Sequence, residues 1–169
     1  MNLIVAVDKN WGIGKENELL IHIPADLKRF RELTLGHTVI LGRKTIEGFP
    51  NGKPLKDRRN LVLSRTLAEI AGAEVFQSVE TLLSASEEDA FVIGGESVYA
   101  QLLPYCDTAY VTWIDKEFEA DRFFCNLEND VEWAAIEEAG PFEYEGIPYH
   151  YVIYKRNRQF SIRGVSGHE

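Results

Sequence analysis

Asp26 stands where a charge is costly. It lies in the run Ile23-Pro24-Ala25-Asp26-Leu27-Lys28-Arg29-Phe30-Arg31-Glu32-Leu33. The proline and the residues after it read as a helix N-terminus. At about 100° per residue, Leu27, Phe30 and Leu33 share one arc, and Asp26 falls inside it. Lys28, Arg31 and Glu32 lie outside that arc, and Arg29 lies near its edge. A carboxylate on an apolar stripe needs a polar partner to offset its desolvation. An acid in a first helical turn often does no more than cap N–H groups or complement the dipole. The other reading is that a bound polar ligand meets it.

Two further stretches could hold an anion. In Val39-Ile40-Leu41-Gly42-Arg43-Lys44-Thr45 and in Phe91-Val92-Ile93-Gly94-Gly95-Glu96-Ser97-Val98-Tyr99, an apolar strand ends at glycine and a helix begins. Helix starts present free N–H groups, and glycine lets the backbone approach closely. Two such junctions suit the two ends of a pyrophosphate-bearing cofactor. Neither is a G-x-G-x-x-G fingerprint, and each could serve a turn alone. Arg43, Lys44 and Arg65 add cations at strand ends, suited to a phosphomonoester. Leu63 and Ser64 precede Arg65 at the end of their strand. Arg58, in Lys56-Asp57-Arg58-Arg59, could clamp a carboxylate through two bonds. His22, His37, His150 and His168 show no metal-ligand spacing, so no metal is expected. No Gly-x-Ser-x-Gly elbow is present.

The elements that must carry these residues are legible as apolar runs. Strands are expected at 2–8, 38–42, 60–64, 73–76, 90–93, 108–114, 132–138 and 149–155, and helices at 25–34, 43–47, 79–85 and 96–103. The alternation implies an α/β domain with a mostly parallel sheet. Gly140-Pro141 and Gly146 with Pro148 read as turn signals that set up a C-terminal antiparallel hairpin. Residues 9–24 show no period and read as a lid, with Gly12 and Gly14 as hinges. One domain over 1–156 and a polar extension over 157–169 are expected. The 169 residues carry a net charge of -9, which argues against nucleic acid as partner. No apolar run approaches a membrane span. Two widely spaced cysteines fit reduced thiols, hence a cytoplasmic chain. A monomer is expected.

These pieces, in this order, resemble dihydrofolate reductase. The resemblance runs from Leu3 to Lys155 through Val5-Ala6-Val7-Asp8, Ile13-Gly14, Ile23-Pro24-Ala25-Asp26-Leu27 and both glycine junctions. It continues in Arg58-Arg59-Asn60-Leu61-Val62-Leu63-Ser64-Arg65 and Val111-Thr112-Trp113-Ile114-Asp115. It implies an eight-stranded sheet flanked by helices and NADPH-dependent reduction of 7,8-dihydrofolate, with antifolates as further ligands. By resemblance, Asp26 is the pocket carboxylate that holds the pterin and Thr112 its partner. Ile4, Val5, Ala6 and Ile93 would line the pterin pocket. Leu27, Phe30, Phe49 and Leu55 would contact the benzoyl ring, and Arg58 the glutamate α-carboxylate. Gly42, Arg43, Lys44 and Thr45 would meet cofactor phosphates, with Leu63, Ser64 and Arg65 near the adenosine. Gly94 and Gly95 match a cis pair beside the cofactor, followed by Glu96, Ser97 and Val98. Ala6, Ile93 and Tyr99 would lie near the nicotinamide. Ile13, Gly14 and Leu19 would belong to a closing loop.

The chain departs from the family pattern in places. Ile21 stands where a tryptophan is usual, and Leu19-Leu20 replace a Met-Pro or Leu-Pro. Gln77 and Ser97 stand where some members have basic residues. Residues 46–57 are slightly longer than in compact bacterial members. Two other readings stay in view. One is the related NADPH-dependent pyrimidine reductase of riboflavin synthesis, which lacks the Pro-x-Asp-Leu helix start. The other is a nucleotide-binding module without catalysis.

Overall fold

The computed structural model describes residues 1–157. In chain order the elements are β1 (Asn2–Val7), β2 (Gly12–Lys15), β3 (Glu18–Leu19), α1 (Pro24–Thr34), β4 (Thr38–Gly42), α2 (Arg43–Glu47), β5 (Arg59–Leu63) and β6 (Glu74–Phe76). They continue with α3 (Val79–Ala85), β7 (Phe91–Gly94), α4 (Glu96–Leu102), β8 (Thr108–Ile114), β9 (Arg122–Phe123), β10 (Trp133–Tyr144) and β11 (Ile147–Arg156). Eight strands form one sheet in the order β10-β11-β8-β1-β7-β4-β5-β6. The inner pairs are parallel, and β11 runs antiparallel to β8 and β10.

Burial on both faces explains the continuous apolar runs. Leu3, Val5 and Val7 turn into one core with Ile40, Leu61, Val92 and Val111. The alternate residues Ile4, Val39, Leu41 and Val62 pack into a second core on the other face. The period of two thus divides each strand between two cores. The chain moves outward from β1 to β4, β5 and β6, then returns to insert β7 between β1 and β4. That return makes a topological switch point, and ligand crevices form outside the carboxyl ends of strands at such points.

Two expectations are corrected. Residues 9–24 are not a free loop: β2 pairs with β3 and with β9, which lies over a hundred residues downstream. Glu16 and Asn17 take the left-handed φ values of 50° and 65° that a tight hairpin turn demands. Gly12 and Gly14 sit where the packing is close. A Cβ on Gly12 would sit 2.7 Å from that of Ala120, and one on Gly14 2.9 Å from the Glu18 carbonyl oxygen. The second correction concerns Gly140-Pro141. The turn of the terminal hairpin is at Glu145-Gly146, and β10 runs straight through Pro141 with a register shift between Ala139 and Phe142. A bulge on an edge strand accommodates a residue that has no N–H. The expected extension lies outside the described residues except for Asn157.

Candidate active site

α1 opens on extended Ile23 and Pro24, with no side chain capping its first N–H groups. Asp26 sits in that first turn but takes its hydrogen bond from another element. The hydroxyl of Thr112 on β8 donates to its carboxylate at 2.6 Å. The capping explanation for Asp26 therefore gives way to a partnership between α1 and β8. Burial raises the Asp26 pKa above the usual carboxylate value, opposed by the Thr112 bond and by the nearby Arg29 charge. A half-buried acid with one neutral donor keeps acceptor capacity for another donor.

Beside this pair the sheet divides. β1 and β7 are in register at Asn2–Phe91 and Leu3–Val92 and then separate. β7 also shifts register against β4, from Ile40–Val92 to Leu41–Gly94, so Ile93 is an extra residue. Such bulges re-aim backbone groups next to sites. The carbonyls of Ile4 and Ile93, no longer in the ladder between these strands, both face the Tyr99 hydroxyl, at 2.7 and 2.9 Å. Tyr99 is buried, which pushes its pKa far above the usual phenol value and keeps the hydroxyl protonated. Val5 and Ala6 continue β1 past the division, with Ala6 in register with Thr112. Ile21 packs with Ala6 against Ile23, Ile114 and Tyr149.

From Asp26 an apolar wall runs along α1. Phe30, Phe49 and Leu55 pack on the second core, and Leu27 stays exposed. At the far end the Arg58 guanidinium donates to the Thr34 hydroxyl at 3.1 Å and to the Lys56 carbonyl at 2.8 Å. Thr34 in turn donates to the Phe30 carbonyl. Asp26 and Thr34 are separated along α1 by about 12 Å of helix rise.

On the other side of the division, predicted residues collect at the carboxyl ends of β4, β5 and β7. α2 starts at Gly42 and α4 at Gly95, and neither start has a side-chain cap. A Cβ on Gly42 would approach Val98 to 3.2 Å, and one on Gly95 would lie 3.5 Å from the Thr45 hydroxyl. The two helix starts thus adjoin, and their glycines leave backbone N–H groups approachable. The Gly94–Gly95 peptide is cis, as the resemblance implies. Arg43 pairs with Glu47 at 3.5 Å, and Lys44, Arg65 and Ser97 are exposed. Ser64 is buried, its hydroxyl accepting from the N–H of Leu67 at 3.2 Å, and Leu63 is half-buried. Uncapped N–H groups, glycines and flanking cations fit a cofactor with phosphates at its centre and one end.

A dihydrofolate reductase family model matches residues 1–156. The chain belongs to the dihydrofolate reductase family. It is 38% identical over 159 residues to the dihydrofolate reductase of Bacillus subtilis strain 168, covering 88% of this chain and 93% of that protein. It is 41% identical over 127 residues to the type 3 dihydrofolate reductase of Salmonella typhimurium, covering 73% and 77%. Its fold is similar to that of Enterococcus faecalis dihydrofolate reductase complexed with NADP(H) and RAB-propyl. The TM-score is 0.82 at 36% identity, over 92% of this chain and 95% of that one. These findings favour the dihydrofolate reductase reading over the pyrimidine reductase.

Within this dihydrofolate reductase fold, Asp8, Asn60 and Asp121, to which the sequence assigned no role, hold backbone around the site. The buried Asp8 carboxylate accepts N–H bonds from Asn10, Gly12 and Phe118. It fixes both the chain leaving β1 and the segment before β9. Ile13 packs on the main core, while Leu19 on β3 is exposed. Asp121 accepts from the Glu16 N–H, Lys15 pairs with Glu119, and Asn17 reaches the Lys44 carbonyl. Glu96 accepts the Phe123 N–H at 2.6 Å, joining α4 to β9. Buried Asn60 bonds both backbone groups of Leu55 and the Arg58 carbonyl, holding the strand approach on which Arg58 sits. Asp8 and Asn60 each flank an apolar strand run, and a polar residue in that place is the signal that marks them in the sequence.

Proposed function

We propose that this chain reduces 7,8-dihydrofolate to 5,6,7,8-tetrahydrofolate with NADPH. The observation that carries the reading is the Asp26–Thr112 bond at the division of the sheet, with Asp26 raised in pKa by burial. NADPH, when bound, supplies the hydride. The protein holds the reacting atoms together and excludes water. Asp26 receives the pterin 2-amino group and its neighbouring ring nitrogen, and Thr112 fixes the orientation of the carboxylate. The negative charge of Asp26 favours protonation of the pterin nitrogen next to the carbon being reduced, with water as the immediate donor. Ile4, Val5, Ala6 and Ile93 wall the pterin. Leu27, Phe30, Phe49 and Leu55 keep the benzoyl ring dry, and Arg58 clamps the α-carboxylate. The rise of about 12 Å along α1 suits a substrate with its pterin at one end and its carboxylate at the other.

The cofactor is assigned to Ala6, Ile13, Gly14, Leu19, Leu63, Ile93, Val98 and Tyr99 for the ring and ribose contacts. Gly42 to Thr45 and Gly94 to Ser97 receive the phosphates, and Ser64 and Arg65 the adenosine end. Antifolates compete for the pterin site. The functional unit spans 1–156 with 157–169 as an extension, and it works as a cytoplasmic monomer without nucleic acid or membrane. No helix among the described residues is long and apolar enough to cross a membrane. The test is a steady-state assay of NADPH absorbance with 7,8-dihydrofolate and, separately, with the ribosylated pyrimidine of riboflavin synthesis. Turnover of dihydrofolate alone supports the proposal, and turnover of the pyrimidine alone refutes it.

A further inference from the structure

One cation beside Asp26 is assigned no ligand contact. Arg29 lies one helical turn after Asp26 on α1, half-buried. Among the described residues its guanidinium makes no ion pair. It lies 4.0 Å from the centre of the Tyr151 ring and 5.9 Å from that of Tyr110. Both rings belong to the Asp26 neighbourhood. Tyr151 on β11 is in register with Thr112 on β8, the residue that bonds Asp26. Tyr110 lies two residues before Thr112 on the same face. Tyr151 is itself braced by Phe142 at 5.4 Å and Tyr149 at 5.8 Å. The long arginine side chain is thereby held against an aromatic surface.

We infer that Arg29, held on the Tyr151 ring one turn from Asp26, is a positioning residue whose fixed charge adds to the Thr112 bond in favouring the ionised carboxylate. The inference rests on the reading of Asp26 as the pterin carboxylate only for its consequence in the reaction. Its physical content is a property of the protein alone. A cation beside an aromatic face is attracted by the ring quadrupole, and a half-buried charge is screened less than one in open water. An arginine keeps its charge at every working pH. The groups facing Asp26 are Thr112 from β8, Arg29 from its own helix and Tyr151 from β11. Thr112 is neutral. Tyr151 is pushed up to about 12, first by burial and then by Asp26, so it stays a neutral phenol. Arg29 is thus the charged group of this set. Together with the Thr112 bond, the larger of the two effects, it counteracts the burial that would otherwise hold Asp26 protonated to higher pH, and it extends the range over which an ionised carboxylate meets the pterin.

The test reads Asp26 directly in the ligand-free protein, from the carboxyl carbon shift of labelled aspartate across pH. Arg29→Met removes the charge and keeps an apolar stem, and Arg29→Gln does so with a polar end. Both are expected to move the Asp26 midpoint to higher pH, while Arg29→Lys restores much of the native midpoint. Tyr151→Leu, which frees the guanidinium, is expected to move it in the same direction by less. An unchanged midpoint in a folded Arg29→Met or Arg29→Gln protein overturns the proposal. So does an equal shift in Arg29→Lys, which would make side-chain shape and not charge the cause. Because no substrate is present, this outcome is independent of whether Asp26 binds the pterin.

Discussion

At the scale of single residues, the burial of Asp26 works against stability once the group ionises. Its pKa is raised in the fold, chiefly by burial. Below the usual carboxylate range, folded and unfolded chains both carry the proton, and the group costs nothing. As pH rises through the folded value, the native state must bury a charge, and stability falls. Asp26→Asn is therefore expected to raise the urea midpoint of the ligand-free protein at pH 7, with the gain gone below about pH 4. The same variant is expected to lose roughly 10²–10⁴-fold in dihydrofolate reduction at neutral pH. Part of that rate should return in acid, where solvent protonates the pterin. Full activity at neutral pH would remove the proposed electrostatic role. Arg43 and Arg65 pose a separate residue question, because Gln77 and Ser97 supply no charge. Replacing both arginines with Ala should weaken NADPH far more than NADH; equal losses in a binding titration would refute a 2′-phosphate role.

At the scale of elements, what was legible follows from period and length. The sheet strands could be read because burial on two faces demands long apolar runs. The α1 stripe and its misplaced acid could be read because period 3.6 sets which residues share a face. β2 and β3 could not, since four and two residues show no period and their pairing depends on distant β9. The Arg29–Tyr151 contact was hidden for the same reason. Arg29 sat at the edge of the wheel, and nothing local points to a ring on β11. Asn60 shows how a residue at an element terminus holds the backbone beside Arg58, the proposed carboxylate clamp. Asn60→Ala leaves backbone groups of Leu55 and Arg58 without partners, at a cost of about 1–3 kcal/mol in urea unfolding. Its KM for dihydrofolate should rise on the order of tenfold with kcat nearly kept, equivalent to about 1.4 kcal/mol of binding. A fall in kcat at native KM would place the effect elsewhere.

For the whole molecule, the large sheet has two edges, the three-residue β6 and the longer β10; a short edge offers little to pair with, and β10 carries its own defences. On β10 the register shifts, Pro141 and the acids Glu137, Glu138 and Glu143 all discourage pairing with another chain. Sedimentation velocity is expected to give one species at the 19.2 kDa of a single chain. A concentration-dependent dimer would contradict this. The division between β1 and β7 has a consequence best stated by counting hydrogens. A phenol hydroxyl has one proton to give, yet two carbonyls, those of Ile4 and Ile93, lie within its reach. At any instant the hydroxyl serves one of the two. A single rotation about the Tyr99 C–O bond therefore decides which carbonyl it serves, and the donor passes from one strand to the other without either strand moving.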